Sequence, residues 1–114
     1  MELFASWGAD LIEVDACGGA VDEATWAQYR DAINATGRAM VHSVCAEGMD
    51  NVWTWGKRVG NMWRVNGDIQ DGWLNIVQAL NSAMAIPKLE TYSGPGGWND
   101  MVRSNGLPQL NSPI

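Results

Sequence analysis

Apolar and polar positions follow two patterns along the chain: short continuous apolar runs, and longer stretches with helical spacing. The apolar runs predict three strands, over residues 9–14, 39–44 and 61–64. The helical spacing predicts three helices, over residues 2–7, 22–35 and 70–84. This alternation of strands and helices favours parallel strands joined by right-handed crossovers, and therefore an α/β sheet or barrel.

Polar and glycine residues mark the ends of the predicted helices. Asp22 has the residue type of an N-cap, and Gly37 ends the same helix. We expect Trp26 to pack from this helix onto the sheet. In the last predicted helix, one face carries the apolar residues Trp73, Ile76, Val77, Leu80 and Met84. We expect that face to pack against the rest of the domain as well.

The remaining segments lack a regular period. Residues 45–60 are predicted to form a long loop, and the glycines at 94–97 begin a turn-rich element that ends at Asp100. We expect residues 1–100 to form one domain. The tail over 101–114 contains proline and polar residues without periodicity, and we expect it to be poorly ordered.

Composition narrows the classes of function. The chain has 13 acidic and 7 basic side chains, and its formal net charge of −6 argues against a nucleic-acid partner, for which a basic stripe is expected. Hydrophobic residues make up 46% of the chain, enough for a core. No window has the roughly 18 uninterrupted apolar residues that a membrane span needs. The first residues also lack the basic and apolar regions of a signal peptide.

Three aspartates are placed at strand ends: Asp15 and Asp68 follow predicted strands, and Asp100 follows the glycine run. Ligands of parallel α/β folds bind at the carboxyl ends of the strands, so these carboxylates are candidate site residues, although each has the alternative of capping a helix. Cleavage of an acetal requires two carboxylates across a pocket, one as proton donor and one as nucleophile or base. No Ser-His motif or glycine-rich phosphate loop competes with this chemistry.

Four further residues bear on the candidate site. Arg64 precedes Asp68 by one helical turn's spacing and has the donors to orient sugar hydroxyls. His42 is the only histidine, which excludes a multi-histidine metal site, and we expect it to be structural. Cys17 and Cys45 lack metal-ligand spacing, and either one bridge or two free thiols is open.

Four motifs occur in one order: F-A-S-W-G-A-D-L-I-E-V-D-A-C, D-A-I-N-A-T-G-R-A-M-V-H-S-V-C, W-T-W-G-K-R-V-G-N-M-W-R-V-N-G-D-I and G-P-G-G-W-N-D. Together they resemble the α-galactosidase (melibiase) family, glycoside hydrolase family 27. The resemblance implies a partial (β/α)8 TIM barrel over residues 1–100, roughly from the end of the third to the seventh β/α unit. It also implies a retaining hydrolase that releases terminal α-linked galactose, with no cofactor and no metal.

The resemblance assigns roles to individual residues. Asp15 matches the family's nucleophile, and Asp68 matches its general acid/base. Arg64 matches an arginine that touches the sugar, and Trp98 lies in a family-like motif where it is expected to contact substrate.

The cysteines and the compartment are also implied by the resemblance. Cys17 and Cys45 match a pair that family members join as a disulfide, which implies an oxidising compartment, secreted or lysosomal. The implied partner is an α-galactoside or a related carbohydrate. The oligomeric state stays open.

Two positions depart from the family pattern. Glu13 stands where the family usually has a lysine that binds sugar hydroxyls, and Ala46 stands where a larger residue meets the 2-substituent of the sugar. A small residue at position 46 is closer to the α-N-acetylgalactosaminidase arrangement, so that sugar is an alternative. Because a complete barrel takes about 250 residues, catalytic silence of the isolated chain is the other alternative.

Overall fold

The computed structural model describes residues 1–17, 19, 22–70 and 72–101. Within these residues the helices are α1 (Glu2–Ser6), α2 (Glu23–Ala35), α3 (Gly56–Val59) and α4 (Trp73–Met84). The strands are β1 (Leu11–Asp15), β2 (Val41–Cys45), β3 (Met62–Arg64) and β4 (Trp98–Asp100). Two 3₁₀ segments, Met49–Thr54 and Leu89–Tyr92, lie in the connections.

The described strands form one parallel sheet in chain order, β1-β2-β3-β4. The connections between neighbouring strands contain helical segments, as expected because parallel pairing needs a crossover. Ile12 pairs with His42, and Val44 pairs with Trp63. Side chains alternate across a strand, so residues that pair in register lie on the same face of the sheet.

One face of the sheet packs against helices α2 and α3 and forms the core. Val44 and Trp63 lie in a buried cluster with Trp26 of α2, as expected for Trp26. Ile12 lies in a second cluster with Ile33 of the same helix. Trp26 and Trp63 are 1% and 0% exposed, and truncating a buried Trp typically costs about 3–5 kcal/mol. The apolar face of the sheet is therefore the face that holds the fold together.

The six predicted strands and helices are found in the predicted order, whereas β4 was expected only as part of a turn-rich element. The signals at the ends of α2 are also confirmed. The Oδ1 of Asp22 accepts a hydrogen bond from the Thr25 backbone N–H at 2.8 Å, so Asp22 is the N-cap. Gly37 follows the helix with a φ of +70, the left-handed conformation in which glycine ends helices without strain.

The predicted loop over residues 45–60 is wrong in part. It contains the Met49–Thr54 segment and helix α3, which packs against α2 and β3. This stretch has too few turns to show a helical period, so the sequence pattern did not reveal it.

The predicted packing face of α4 is also wrong. Trp73 and Met84 are 73% and 82% exposed, whereas Ala79 and Ala83 are buried. The small alanine side chains let the helix backbone approach the loop after β3, where Asn66 Nδ2 donates to the Ala79 carbonyl at 2.8 Å. Contact with that loop, rather than total apolar area, orients the helix.

No helix among the described residues is long and apolar enough to cross a membrane. The tail expected to be poorly ordered falls mostly on residues 102–114, which lie outside the described residues.

His42 is buried between strand β2 and helix α2. Its side chain is 3% exposed, and its ring centroid lies 6.2 Å from that of Trp26. Nδ1 lies 2.8 Å from the Val59 carbonyl oxygen and therefore donates to it. Burial lowers the pKa of His42, and the hydrogen bond to Val59 partly opposes this effect. These contacts agree with the structural role expected for His42.

We expect His42 to make the protein sensitive to mild acid. The native state resists protonation of the buried ring, so stability is fully present above the ordinary value of 6.5 and declines as the pH falls below it. A His42→Asn variant keeps a donor for Val59 but does not titrate. Wild type should lose melting temperature relative to this variant between about pH 7.5 and pH 5. Parallel melting curves over that range would contradict the assignment.

Candidate active site

The second face of the sheet carries polar residues at the carboxyl ends of its strands. Asp15 pairs in register with Cys45, and Arg64 pairs with Asp100. Arg64 also reaches Cys45 across the β2-β3 pair. We call Asp15, Cys45, Arg64 and Asp100 the mouth row, because they lie on one face at the edge where ligands of parallel α/β folds bind.

Asp15 is the last residue of β1 and is exposed. Its Oδ1 accepts a hydrogen bond from the Cys17 backbone N–H at 3.2 Å, which fixes the carboxylate above the end of the strand. The Ala16 backbone N–H donates to the Cys45 carbonyl oxygen at 3.3 Å, so the ladder with β2 continues just past Asp15. Asp15 therefore stands on a rigid strand end with its side chain at the surface.

Arg64 is a fully buried charge beside the exposed carboxylates. Its side chain is 0% exposed. Nη1 donates to Cys45 Sγ at 3.5 Å, and Nη2 donates to the Asn66 carbonyl oxygen at 3.1 Å and to Asp68 Oδ1 at 3.0 Å. The Asp68 side chain is 37% exposed. The structure thus brings Arg64 and Asp68 together, as the sequence spacing indicated.

Several charged side chains at this edge affect the pKa of Cys45. The pKa of the Cys45 thiol is raised to about 11, chiefly by burial; the nearby guanidinium of Arg64 opposes this shift, and the negative charges of Asp15, Glu13 and Glu47 contribute to it. The described part of the edge therefore surrounds one buried cation with several carboxylates.

The structure places the other predicted contact residues at different depths. Glu13 precedes Asp15 on the same face of β1 and is exposed, so it lies one step below the mouth row. Trp98 is 56% exposed but lies at the start of β4, paired with Met62, and is also below the row. Ala46 is fully buried in the cluster with Trp26, so the structure does not bring it to the mouth row.

The predicted disulfide is not found in the structure. Cys17 and Cys45 are both free, Cys17 exposed and Cys45 1% exposed. The Cys45 sulfur instead accepts a hydrogen bond from Arg64.

Sequence reasoning missed the connection after β2, which shapes the same edge. Glu47 and Gly48 have left-handed φ values of +52 and +80. The Gly48 backbone N–H donates to the Arg64 carbonyl oxygen at 3.0 Å, so this turn lies directly on the end of β3. Only the glycine signalled the turn, because a left-handed glutamate leaves no mark in the sequence.

Asn66 was also not singled out from the sequence. It is 9% exposed, its carbonyl accepts from Arg64, and its Nδ2 donates to the carbonyl oxygens of Ala79 and Met101 at 2.8 and 3.1 Å. It joins the mouth row to α4. Among the described residues, no three His, Cys, Asp or Glu side chains are grouped as they would be around a metal ion.

A parallel α/β sheet with carboxylates around one guanidinium at the carboxyl ends of its strands fits the class of (β/α)8 barrels, whose ligands bind at that edge. The chain belongs to the α-galactosidase (melibiase) family of glycoside hydrolases, because the family model described as alpha galactosidase A matches residues 1–105.

Individual relatives agree with this assignment. The chain is 42% identical over 101 residues to alpha-galactosidase 3 of Arabidopsis thaliana, covering 87% of the chain and 22% of that protein. A Bacteroides fragilis structure described as a candidate alpha-galactosidase superposes with a TM-score of 0.76 at 41% identity, covering 88% and 24%. A β-L-arabinopyranosidase of family 27 from Geobacillus stearothermophilus superposes with a TM-score of 0.73 at 26% identity, covering 87% and 23%.

These matches confirm the predicted fold class, a partial TIM barrel. The chain spans only 22% to 24% of the lengths of these three relatives. The described sheet is therefore an arc of their barrel that carries part of the mouth.

We expect a Gly48→Ala change to disrupt this edge. The new Cβ would press on the Val65 carbonyl oxygen, and a φ of +80 is strained for alanine. Backbone strain alone costs about 1–3 kcal/mol, so the melting temperature of the full-length gene product should fall clearly.

Gly67→Ala is the matched control, because a Cβ at Gly67 meets no atom within 4 Å. Equal losses of melting temperature in the two variants would show that the turn at Gly48 does not bear on the end of β3.

Proposed function

We propose that the protein hydrolyses terminal α-linked galactosides with retention of anomeric configuration. Asp15 is the nucleophile and Asp68 is the general acid/base. The observation that carries the proposal is the unbroken set of contacts across three strands at one edge of the sheet. Asp15 pairs with Cys45, Cys45 contacts Arg64, and Arg64 contacts Asp68. Two carboxylates on either side of one guanidinium suit the two-carboxylate chemistry of glycosidases.

In the first step the Asp15 carboxylate attacks the anomeric carbon. The Cys17 N–H holds Oδ1, which leaves Oδ2 as the oxygen that we assign to the attack. The bond from the anomeric carbon to the leaving oxygen breaks, and protonated Asp68 gives its proton to that oxygen. The products of this step are the free alcohol, a glycosyl ester on Asp15 and an ionised Asp68.

In the second step ionised Asp68 removes a proton from water. The resulting nucleophile attacks the anomeric carbon, the ester bond breaks, and Asp15 returns to its carboxylate form. Two inversions give net retention, and Asp68 ends protonated as it began.

Arg64 and Glu13 have supporting roles in this proposal. Arg64 contacts Asp68 through Nη2 and holds that carboxylate in position. Glu13 lies below Asp15 on the same face, where its carboxylate accepts hydrogen bonds from sugar hydroxyls. The compartment that we propose is secreted or lysosomal, following the family resemblance.

Removal of either carboxylate tests the assignment. Asp15→Asn in the full-length gene product should lower kcat for an aryl α-galactoside by more than about 10³-fold, because the covalent intermediate no longer forms. Asp68→Asn should lower kcat/KM by about 10²–10⁴-fold for a poor leaving group, and much less for a dinitrophenyl leaving group, which needs no proton. Steady-state rates with the two aglycones measure the difference.

Asp10→Asn is the matched control, at the opposite end of the first strand. Asp10 pairs with Arg38 at 2.6 Å, and both side chains are partly or largely exposed, so losing the pair changes stability by no more than about 1 kcal/mol. Unchanged turnover in Asp15→Asn, or loss that is independent of the leaving group in Asp68→Asn, would overturn the roles.

A second candidate keeps the chemistry and changes the sugar. Glu13 replaces a cation with an anion on the pocket face, which favours a sugar whose substituents donate hydrogen bonds there. α-N-acetylgalactosaminides are the first alternative, although the burial of Ala46 gives them no support from the structure. The β-L-arabinopyranosidase from Geobacillus stearothermophilus shows that a family 27 fold of this kind is found in an enzyme named for another sugar.

A panel of aryl glycosides separates the candidates. For the α-galactosidase we expect kcat/KM for the α-galactoside to exceed that for the α-N-acetylgalactosaminide and the β-L-arabinopyranoside by at least about tenfold, or about 1.4 kcal/mol. Glu13→Gln should lower kcat/KM for the preferred sugar by about tenfold, because a charged acceptor is lost. Preference for another sugar of the panel would favour the second candidate.

A further inference from the structure

Cys45 occupies the centre of the mouth row, between a carboxylate and a guanidinium. On one side it pairs in register with Asp15, and on the other its sulfur lies 3.5 Å from Arg64 Nη1. The side chain is 1% exposed and does not reach solvent. A small buried group therefore separates the proposed nucleophile from the one cation among the described residues of the row.

The buried guanidinium of Arg64 depends on each of its hydrogen-bond partners. It is 0% exposed, and within the described part of the chain its Nε has no hydrogen-bond partner. Nη2 is held by the Asn66 carbonyl and by Asp68, whereas Nη1 contacts the Cys45 sulfur. A planar guanidinium that is held at both terminal nitrogens has a fixed rotation about its axis. Loss of the sulfur would leave a second buried donor unsatisfied and release that rotation.

The protonation state of Cys45 suits this task. Burial raises the pKa of the thiol to about 11, so the group stays neutral at physiological pH. A neutral thiol accepts from Arg64 without adding charge beside Asp15, whereas a thiolate would compete with Asp68 for the guanidinium.

We propose that Cys45 is a positioning residue that acts as a free thiol and fixes the guanidinium of Arg64 beside Asp68. The proposal rests on the proposed hydrolase function. It also distinguishes the thiol from half of a disulfide, because a bond to Cys17 would hold the sulfur toward β1 rather than leave it to Arg64 on β3.

Substitutions at Cys45 test the hydrogen-bond role in the full-length gene product. Cys45→Ala removes the acceptor and should lower kcat for an aryl α-galactoside by about 10- to 100-fold with little change in KM, since a misplacement near 1 Å has that effect. The basic limb of the pH profile should move to higher pH, because a guanidinium that is no longer held beside Asp68 stabilises its carboxylate less. Cys45→Ser keeps a neutral acceptor and should restore both kcat and the pH profile.

Val44→Ala is the matched control for a loss of packing. Val44 is the preceding residue, 0% exposed, and faces the helices instead of the mouth. It should lower the melting temperature and leave kcat and the pH profile unchanged. A Cys45→Ala variant that behaves like Val44→Ala would overturn the proposal.

Two readouts do not depend on turnover and so separate this proposal from the proposed function. In ¹⁵N spectra of the arginine side chains, the Arg64 guanidinium hydrogens should exchange slowly in wild type and Cys45→Ser and rapidly in Cys45→Ala. Equal protection in all three proteins would overturn the proposal even if the hydrolase is active. In an unreduced digest, Cys45 should alkylate only after unfolding, within the tryptic peptide 39–57; a Cys17–Cys45 linked peptide would also overturn it.

Discussion

The buried guanidinium of Arg64 is the constraint on which the mouth of the sheet depends. A charge without exposed surface is costly unless it is paired and hydrogen-bonded. Its partners come from strand β2 through Cys45, from the turn at Asn66, and from Asp68. Asn66 in turn holds the Ala79 carbonyl, so helix α4 is tied to the same charge. The loop after β3 is therefore organised around one side chain that the core could not otherwise accept.

The parallel pairing of the strands brings the residues around Arg64 together at one edge of the sheet. Because all four described strands run the same way, their carboxyl ends meet at one edge, and residues far apart in sequence become neighbours there. Asp15 reaches Arg64 only across β2, through Cys45. An antiparallel arrangement would have sent every second strand end to the opposite edge. The pairing direction thus does as much for the site as the identity of its residues.

Features that depend on residues close together in sequence could be predicted, whereas features that depend on distant residues could not. Strands β1 to β3 and the Asp22 cap depend on residues within a few positions, and they were predicted correctly, whereas the short strand β4 was not among the predicted strands. The approach of Arg64 to Asp68 is also local. The face that α4 buries depends on where Asn66 lies, and the contact of Cys45 with Arg64 depends on sheet order. Neither leaves a pattern in the sequence near those residues, so Trp73 was misplaced, and the choice between a bridge and two free thiols stayed open until the structure showed Cys45 as a free thiol.

Along β2 and β3, side chains that pack in the core alternate with side chains that face the mouth row. Val44 and Trp63 face the helices and hold the core, while the next residues, Cys45 and Arg64, face the mouth. The same backbone hydrogen bonds therefore fix both sets of strand positions, and the rigid core supports the polar row, whose side chains are then held by their own contacts. The arrangement favours a small and neutral side chain at position 45, because that side chain is buried between Asp15 and the guanidinium of Arg64.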